Sequence, residues 1–322
     1  MIMKKTTLYT AIVSSMLSAG IANAAPTMSA NIELNTDVYD KSVSETTYEQ
    51  DGRVELTAYN KHTSGDNFIE GKGAIELKVD NSSYVADVYA KIGNSKWDVQ
   101  VGHFEAINLF PKGKDTLVSN AGGVAVYEAN LARGRADDGG QIALHFAPSD
   151  SLKIEIGTIY GDDDTNGDNK AAFSGIRPIA ILSTDAATFT AGYESVKYDL
   201  AAGGDVSKTG YSIGANFDVS SANVNVAMTH LKDDSTGVDK EVDSFVINMT
   251  AGNFGLGLIS STEDNAGSET SVMTAYTAYT MPVFDIENAS VTLAASYSTA
   301  DDVAASQDDE ILATRVRINY TF

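Results

Sequence analysis

The chain has 322 residues, with 22 Lys and Arg against 44 Asp and Glu, a formal net charge of −22 and no cysteine. So acidic a surface does not suit nucleic acid, whose phosphates demand clustered Lys and Arg. A fold stapled by disulfides is excluded as well.

At the N-terminus, Lys4 and Lys5 precede an apolar stretch from Leu8 to Ala22, and Ala22-Asn23-Ala24 forms a small-x-small cleavage site. No acid occurs before Glu33. This reads as an export signal over residues 1–24, removed to leave a mature chain that begins at Ala25. For a membrane-spanning helix the stretch is short and is interrupted by Ser14, Ser15, Ser18 and Gly20. No linker, low-complexity tract or compositional break follows, so residues 25–322 read as one domain. The mature part has no long apolar run, but a strand crossing a membrane in a barrel turns only alternate residues to lipid, which dilutes its hydropathy.

The pattern after the leader has a period of two, the signature of strands. Val99, Val101 and His103 alternate with Asp98, Gln100 and Gly102; Ile142, Leu144 and Phe146 alternate with Gln141, Ala143 and His145. Tyr211, Ile213, Ala215 and Phe217 repeat it, as do Val224, Val226 and Met228, then Phe245, Ile247 and Met249, then Phe254, Leu256 and Leu258. The last segment puts Leu312, Val316, Ile318, Tyr320 and Phe322 on one face and Arg315, Arg317 and Asn319 on the other. Sixteen segments are expected, beginning near Ala30, Arg53, Lys72, Tyr84, Lys96, Gln141, Leu152, Ser174, Thr188, Thr209, Asn223, Asp243, Asn253, Ser271, Asn288 and Ile311. An even number brings both termini to one side of a transmembrane antiparallel β-barrel.

From the sixth segment on, short connections (Pro148-Ser149-Asp150, Ser183-Thr184-Asp185, Ser220-Ser221, Gly252-Asn253) alternate with long polar ones. The long ones run from Gly161 to Phe173, Ala201 to Lys208, Leu231 to Val242, Thr262 to Thr270 and Ser298 to Glu310. Short periplasmic turns and long outer loops are the asymmetry of outer-membrane barrels. The link from Lys61 to Asn67, the tight turn at Asn81-Ser82 and the connection from Met281 to Asn288 do not fit it. A soluble β-sandwich shares the alternation, but needs neither an aromatic C-terminus nor connections segregated by charge.

Two stretches resemble a known family. Arg315-Val-Arg-Ile-Asn-Tyr-Thr-Phe322 is similar to the C-terminal signature of outer-membrane barrels, which closes the barrel and is read by the insertion machinery. The longest connection, Glu105 to Gly140, contains Leu109-Phe110-Pro111-Lys112-Gly113-Lys114-Asp115-Thr116 and Gly122-Gly123-Val124-Ala125-Val126-Tyr127, similar to the inward-folded third loop of trimeric general porins. The resemblance implies a Gram-negative outer-membrane channel for passive diffusion of small hydrophilic solutes and ions, with bilayer lipid and lipopolysaccharide as neighbours, a homotrimer and no cofactor. The very short connection after the third segment departs from the general porins, which latch onto a neighbouring subunit there. Gly122 to Asn130, a strand in general porins, stays in the loop here, since a seventeenth strand would put later loops on the wrong side.

In such a channel, selectivity comes from pore radius and fixed charge. The third loop offers the acids Glu105, Asp115, Glu128, Asp137 and Asp138 and the bases Lys112, Lys114, Arg133 and Arg135. On the wall, Arg53, Arg315 and Arg317 have polar-face parity and become neighbours once the barrel closes. Loop acids facing wall arginines would set up a transverse field. A sugar-selective pore is the nearest alternative, with Tyr89, Phe104 and Phe110 as candidate stacking rings. Asp162, Asp164, Asn166 and Asp168 match the front half of a calcium loop, yet Phe173 stands where the closing Glu belongs, so a solvated acidic loop tip is the simpler reading. Acidic tips could also share divalent ions with lipopolysaccharide phosphates. Among His62, His103, His145 and His230 only His145 has lumen parity, and no spacing identifies a catalytic partner for it. A hydrolase is thereby disfavoured, and a non-transporting surface barrel is disfavoured by the strand count.

Overall fold

The computed structural model describes residues 25–135, 139–161, 173–200 and 203–322. The export signal, Asp137, Asp138 and the calcium-like run Asp162 to Asp168 lie outside the described residues. The rest is a closed barrel of sixteen antiparallel strands, each bonded to its neighbours in sequence. The first half comprises β1 (Thr27–Lys41), β2 (Thr47–Ser64), β3 (Asn67–Lys78), β4 (Ser83–Gly93), β5 (Trp97–His103), β6 (Gly139–Phe146), β7 (Leu152–Gly161) and β8 (Phe173–Ser183). The second half comprises β9 (Thr188–Asp199), β10 (Asp205–Val219), β11 (Ala222–Asp233), β12 (Lys240–Ala251), β13 (Phe254–Asn265), β14 (Ser268–Pro282), β15 (Ala289–Asp301) and β16 (Glu310–Thr321).

Closure joins β1 to β16, from Asn31 opposite Thr321 to Lys41 opposite Ile311, and leaves no sheet edge unpaired. That matters in lipid, where an unpaired backbone group costs several kcal/mol. The period of two is what sorts the two faces. On β16 the exposed Leu312, Val316, Ile318 and Tyr320 point outward, while Arg315, Arg317 and Asn319 point into the lumen. Trp97 and Phe146, opposite each other on β5 and β6, belong to the outer face near the end that carries both termini.

Some strands run further than their hydropathy. The expected long connection from Thr262 to Thr270 is instead two strand ends and a two-residue turn, Ala266-Gly267, with both residues at positive φ. Likewise β2 continues through Lys61 to Ser64 before turning at Gly65-Asp66. About 9–11 residues cross a bilayer, so the 18 residues of β2 continue into water, where polar side chains carry no apolar mark but the backbone ladder persists. Gly122 to Asn130 forms no strand.

The outer loops are tied together by one residue. Asp308 accepts the backbone N–H of Ser44 at 2.7 Å and of Val43 at 2.9 Å, and the Ser44 hydroxyl at 2.8 Å. Its own carbonyl accepts the N–H of Gly122, at the tip of the third loop. The hydrogen bonds from Ser44 hold the Asp308 carboxyl below its usual range, against a smaller opposing effect of desolvation. A carboxyl whose folded value is depressed contributes above its ordinary range and loses that contribution as pH falls through the lowered value. The latch should therefore persist into mildly acidic solution. We expect Asp308→Ala to speed amide exchange at Val43 and Ser44 at neutral pH while the barrel's melting stays unchanged. Equal exchange in both forms would refute the latch.

Candidate pore constriction

The third outer loop, described over residues 104–135, runs along the inside wall in two passes. The first carries Leu109 and Phe110 past β8 to β14 and ends near β16; the second returns through Val124, Tyr127 and Ala132. Apolar lumen-facing residues receive it. Phe110 is 0 % exposed among Ala227, Val246, Ile259 and Tyr276, and Leu109 and Tyr127 meet Ile179 and Val242. Leu117, Ala121 and Val124 pack on Val272, Ala294, Ala300, Ile311 and Ala313. Burying one such large side chain stabilises by about 1.5–3 kcal/mol, and this burial works together with the polar contacts to offset the entropy of ordering the loop. Two lumen-facing glycines make the approach possible: a Cβ on Gly192 would lie 2.3 Å from Leu109, and one on Gly210 would overlap the Tyr127 hydroxyl.

Polar groups pin the backbone at intervals. Asn248 donates to Pro111 O at 2.7 Å, Tyr276 to Lys112 O at 3.0 Å and Ser261 to Ala125 O at 2.6 Å; Glu263 accepts from Ala125 N at 2.8 Å. The loop thus covers the lumen side of β7 to β16, and the open passage lies between it and the charged wall of β1 to β5 with the inner face of β16.

That wall is a lattice of ion pairs. Arg315 grips Asp37 with Nε–Oδ1 at 2.7 Å and Nη2–Oδ2 at 2.5 Å, and its Nη1 donates to Thr116 O of the loop. Arg317 meets Glu33 at 3.2 Å and donates to Asn35 at 2.7 Å; Arg53 meets Glu76 at 3.3 Å. Lys72 pairs with Asp87 at 2.7 Å. From the loop, Arg135 reaches across to that same Asp87 at 3.1 Å and also touches Glu105 at 3.6 Å, which Arg133 meets at 3.4 Å. Lys112 and Glu128 link the two passes at 3.0 Å. The expected segregation of loop acids from wall arginines is therefore not what forms. Each wall arginine has an acid on its own or the next strand, because neighbouring lumen positions carry opposite charges, and the bridge from loop to wall runs from a loop base to a wall acid.

Other positions differ as well. Lys114 does not face the passage laterally but donates to Gly252 O at 3.1 Å, at the periplasmic turn between β12 and β13. Asp115 is partly exposed beside it in the chain. Phe104 and Phe110 are 2 % and 0 % exposed, so neither offers a ring face to a solute; Phe104 instead meets Tyr89 edge-on at 6.0 Å. Tyr89 is half-buried on the lumen face.

His145, for which spacing identifies no catalytic partner, has two acidic neighbours: Asp98 at 2.5 Å on its Nδ1 and Glu155 at 3.0 Å on its Nε2. Arg177, Glu155 and Glu194, absent from the expectations, form a buried charge cluster beneath the loop. The signal that could have found them is parity, since each sits on the lumen face of its strand, opposite or diagonal to a charge on the next.

A sixteen-stranded barrel of outer-membrane type, with a water-wide lumen narrowed by an inward loop, defines a diffusion channel of the Gram-negative outer membrane. Residues 24–322 match the family described as porin-like glycoporin RafY, and the chain belongs to that family. Among solved structures, the in-vitro folded, trimer form of OmpT, an outer membrane protein of Vibrio cholerae, aligns at a TM-score of 0.68 with 14 % identity over 93 % of this chain and 100 % of its own. The anion-selective porin from Comamonas acidovorans aligns at 0.68 with 13 % identity over 92 % and 99 %. A mutant of the Rh. blastica porin aligns at 0.54 with 13 % identity over 92 % and 100 %. At these identities the likeness is one of fold. No curated protein matches the chain.

Proposed function

We propose that the passage between the third loop and the β1 to β5 wall is the selective zone of a general diffusion pore with a mild preference for cations. The observation that carries this reading is the lattice of paired charges on both sides of the passage. Ion pairs in a water-filled lumen keep the wall polar without committing it to one sign, so hydrophilic solutes of either charge pass. The surplus of acid sits at the outer mouth, in Asp301-Asp302 and Asp308-Asp309, where fixed charge concentrates cations over a Debye length of about 8 Å at physiological salt. The chain reaches the membrane by way of the cleaved leader 1–24, assembles as a trimer among lipopolysaccharide, and performs no covalent chemistry.

Reversal potentials in planar bilayers test this. Mild cation preference is expected at low salt, fading as salt rises. Neutralising the wall with Arg315→Gln and Arg317→Gln leaves Asp37 and Glu33 without their partners, so cation preference should strengthen. Anion preference at low salt in the unmodified channel would sink the mouth argument.

The family's glycoporin description favours a second reading, an oligosaccharide-selective pore. Tyr39, Tyr59 and Tyr89 remain on lumen parity after Phe104 and Phe110 are buried. Concentration-dependent interruption of the current by added sugars would select this reading over the general one.

A further inference from the structure

Five ionisable side chains cross four strand boundaries under the root of the third loop, acids alternating with bases: Asp98 on β5, His145 on β6, Glu155 on β7, Arg177 on β8 and Glu194 on β9. The separations are 2.5 Å, 3.0 Å, 3.8 Å and 3.3 Å in that order. A neutral imidazole carries one N–H, so with both flanking carboxylates ionised His145 satisfies both only as the cation. Its end of the row opens to the lumen, whereas Arg177 is 0 % exposed and Glu194 is sealed. The strand ladder is interrupted beside the sealed end. Pro178 has no N–H to donate, and the pairing of β8 with β9 passes from Ile176 opposite Ser195 to Ile179 opposite Gly192, with Arg177 in the interval.

What covers this end is the loop itself. Glu194 accepts from Leu131 N at 2.9 Å, from Ala132 N at 3.0 Å and from the Tyr127 hydroxyl. Arg177 donates to Ala129 O at 2.9 Å, and Glu155 accepts from Ile107 N at 3.2 Å on the outgoing pass. The gripped segment bears Glu128 and runs directly into Arg133 and Arg135, whose side chains face the passage. Two of its non-glycine residues, Ala129 at φ 51° and Arg135 at φ 54°, hold a left-handed backbone. Such a conformation persists only where surrounding contacts over-determine it.

We propose that Glu194, held by Arg177, is the positioning residue that seats residues 127–132 of the third loop and so sets the cross-section and charge of the passage. The proposal rests on the reading of that passage as the selective zone. An ionised carboxylate accepts from three loop donors at once while its charge pairs with the buried guanidinium. A glutamine of the same shape offers one oxygen, and its NH2 points donors at donors. In Glu194→Gln the returning pass should lose its seat, Ala129 and Arg135 should relax, and the loop should move on the ns–μs timescale of free loops.

The experiment compares wild type, Glu194→Gln, Tyr127→Phe and the double variant Glu194→Gln with Arg177→Gln. Each is first checked for heat-modifiable gel mobility, then recorded as single channels. For Glu194→Gln we expect a folded barrel with roughly 1.5-fold higher conductance, added open-channel noise and entry of larger neutral polymers. Tyr127→Phe, which removes one hydroxyl, should shift the same readouts less and serves if Glu194→Gln fails to assemble. The double variant separates positioning from plain stability. It removes the buried cation that has lost its nearer carboxylate, so heat resistance should recover while conductance stays high. Folded Glu194→Gln or Tyr127→Phe channels that are quiet and of wild-type conductance overturn the proposal, as does joint recovery of heat resistance and conductance in the double variant. If shortening the loop between Pro111 and Asn120 widens the pore while these variants do not, the positioning role fails and the selective zone stands. If neither widens it, the selective zone itself fails.

Discussion

Removing Pro111 to Asn120 should raise single-channel conductance on the order of twofold, since conductance follows the cross-section of the narrowest zone, and admit larger oligosaccharides. The segment deleted is the far end of the outgoing pass, where the loop lies against β12 to β16. Its loss exposes Asn248, Tyr276 and one Arg315 donor, but to a wet lumen in which water takes the place of Pro111 O, Lys112 O and Thr116 O. The Phe110 anchor remains, and removing it would cost about 3–5 kcal/mol. Changing loop length alters closure entropy by only about 0.6 kcal/mol per doubling. The strand ladder is untouched, so heat-modifiable mobility should match wild type. A loop lying outside the lumen would give unchanged conductance and size limit after the same deletion.

Phe322→Asp should leave export intact and sharply reduce the amount of folded barrel in the outer membrane. The backbone of Phe322 exchanges hydrogen bonds with Ala30 at 2.7 Å and 2.9 Å, and its ring stacks on Tyr320 at 5.2 Å. The aspartate keeps the backbone bonds. Losing the ring contact costs about 0.5–1.5 kcal/mol, and a charge this close to the membrane interface costs about 0–1 kcal/mol. Those sums are too small to unfold a closed barrel. A large loss of assembled protein would therefore report recognition of the terminal aromatic during insertion. Wild-type levels of heat-modifiable barrel in the mutant's outer membrane would refute that role.

The barrel was legible because lipid imposes one rule on every strand, and Leu312, Val316, Ile318 and Tyr320 obey it in plain view. The strand ends were not. Nothing in Thr262 to Thr270 distinguishes a polar ladder in water from a polar loop, and only the backbone pairing of β13 with β14 settles it. The site was half legible for a related reason. Parity places Arg315 and Arg317 in the lumen, but pairing partners depend on register between distant strands, and Asp37 meets Arg315 across the closure. Phe104 and Phe110 misled because an aromatic inside a porin-like loop can face either the solute or the wall, and packing against Tyr89 or Ile259 decides it.

The closure of β1 on β16 also orders events in time. Arg315 with Asp37, Arg317 with Glu33 and Asn319 with Asn31 all span that one boundary, between the first strand made and the last. Until the two ends of the sheet meet, Arg315 and Arg317 lack the carboxylates that hold them in the closed barrel, and the Thr116 carbonyl has no seated arginine to accept from. An unclosed sheet thus carries two unmatched arginines on its last strand, which water welcomes and lipid does not. The same groups that line the finished passage would keep an incomplete sheet from settling into the bilayer as a dead end, and their pairing is the last event that makes the inner surface whole.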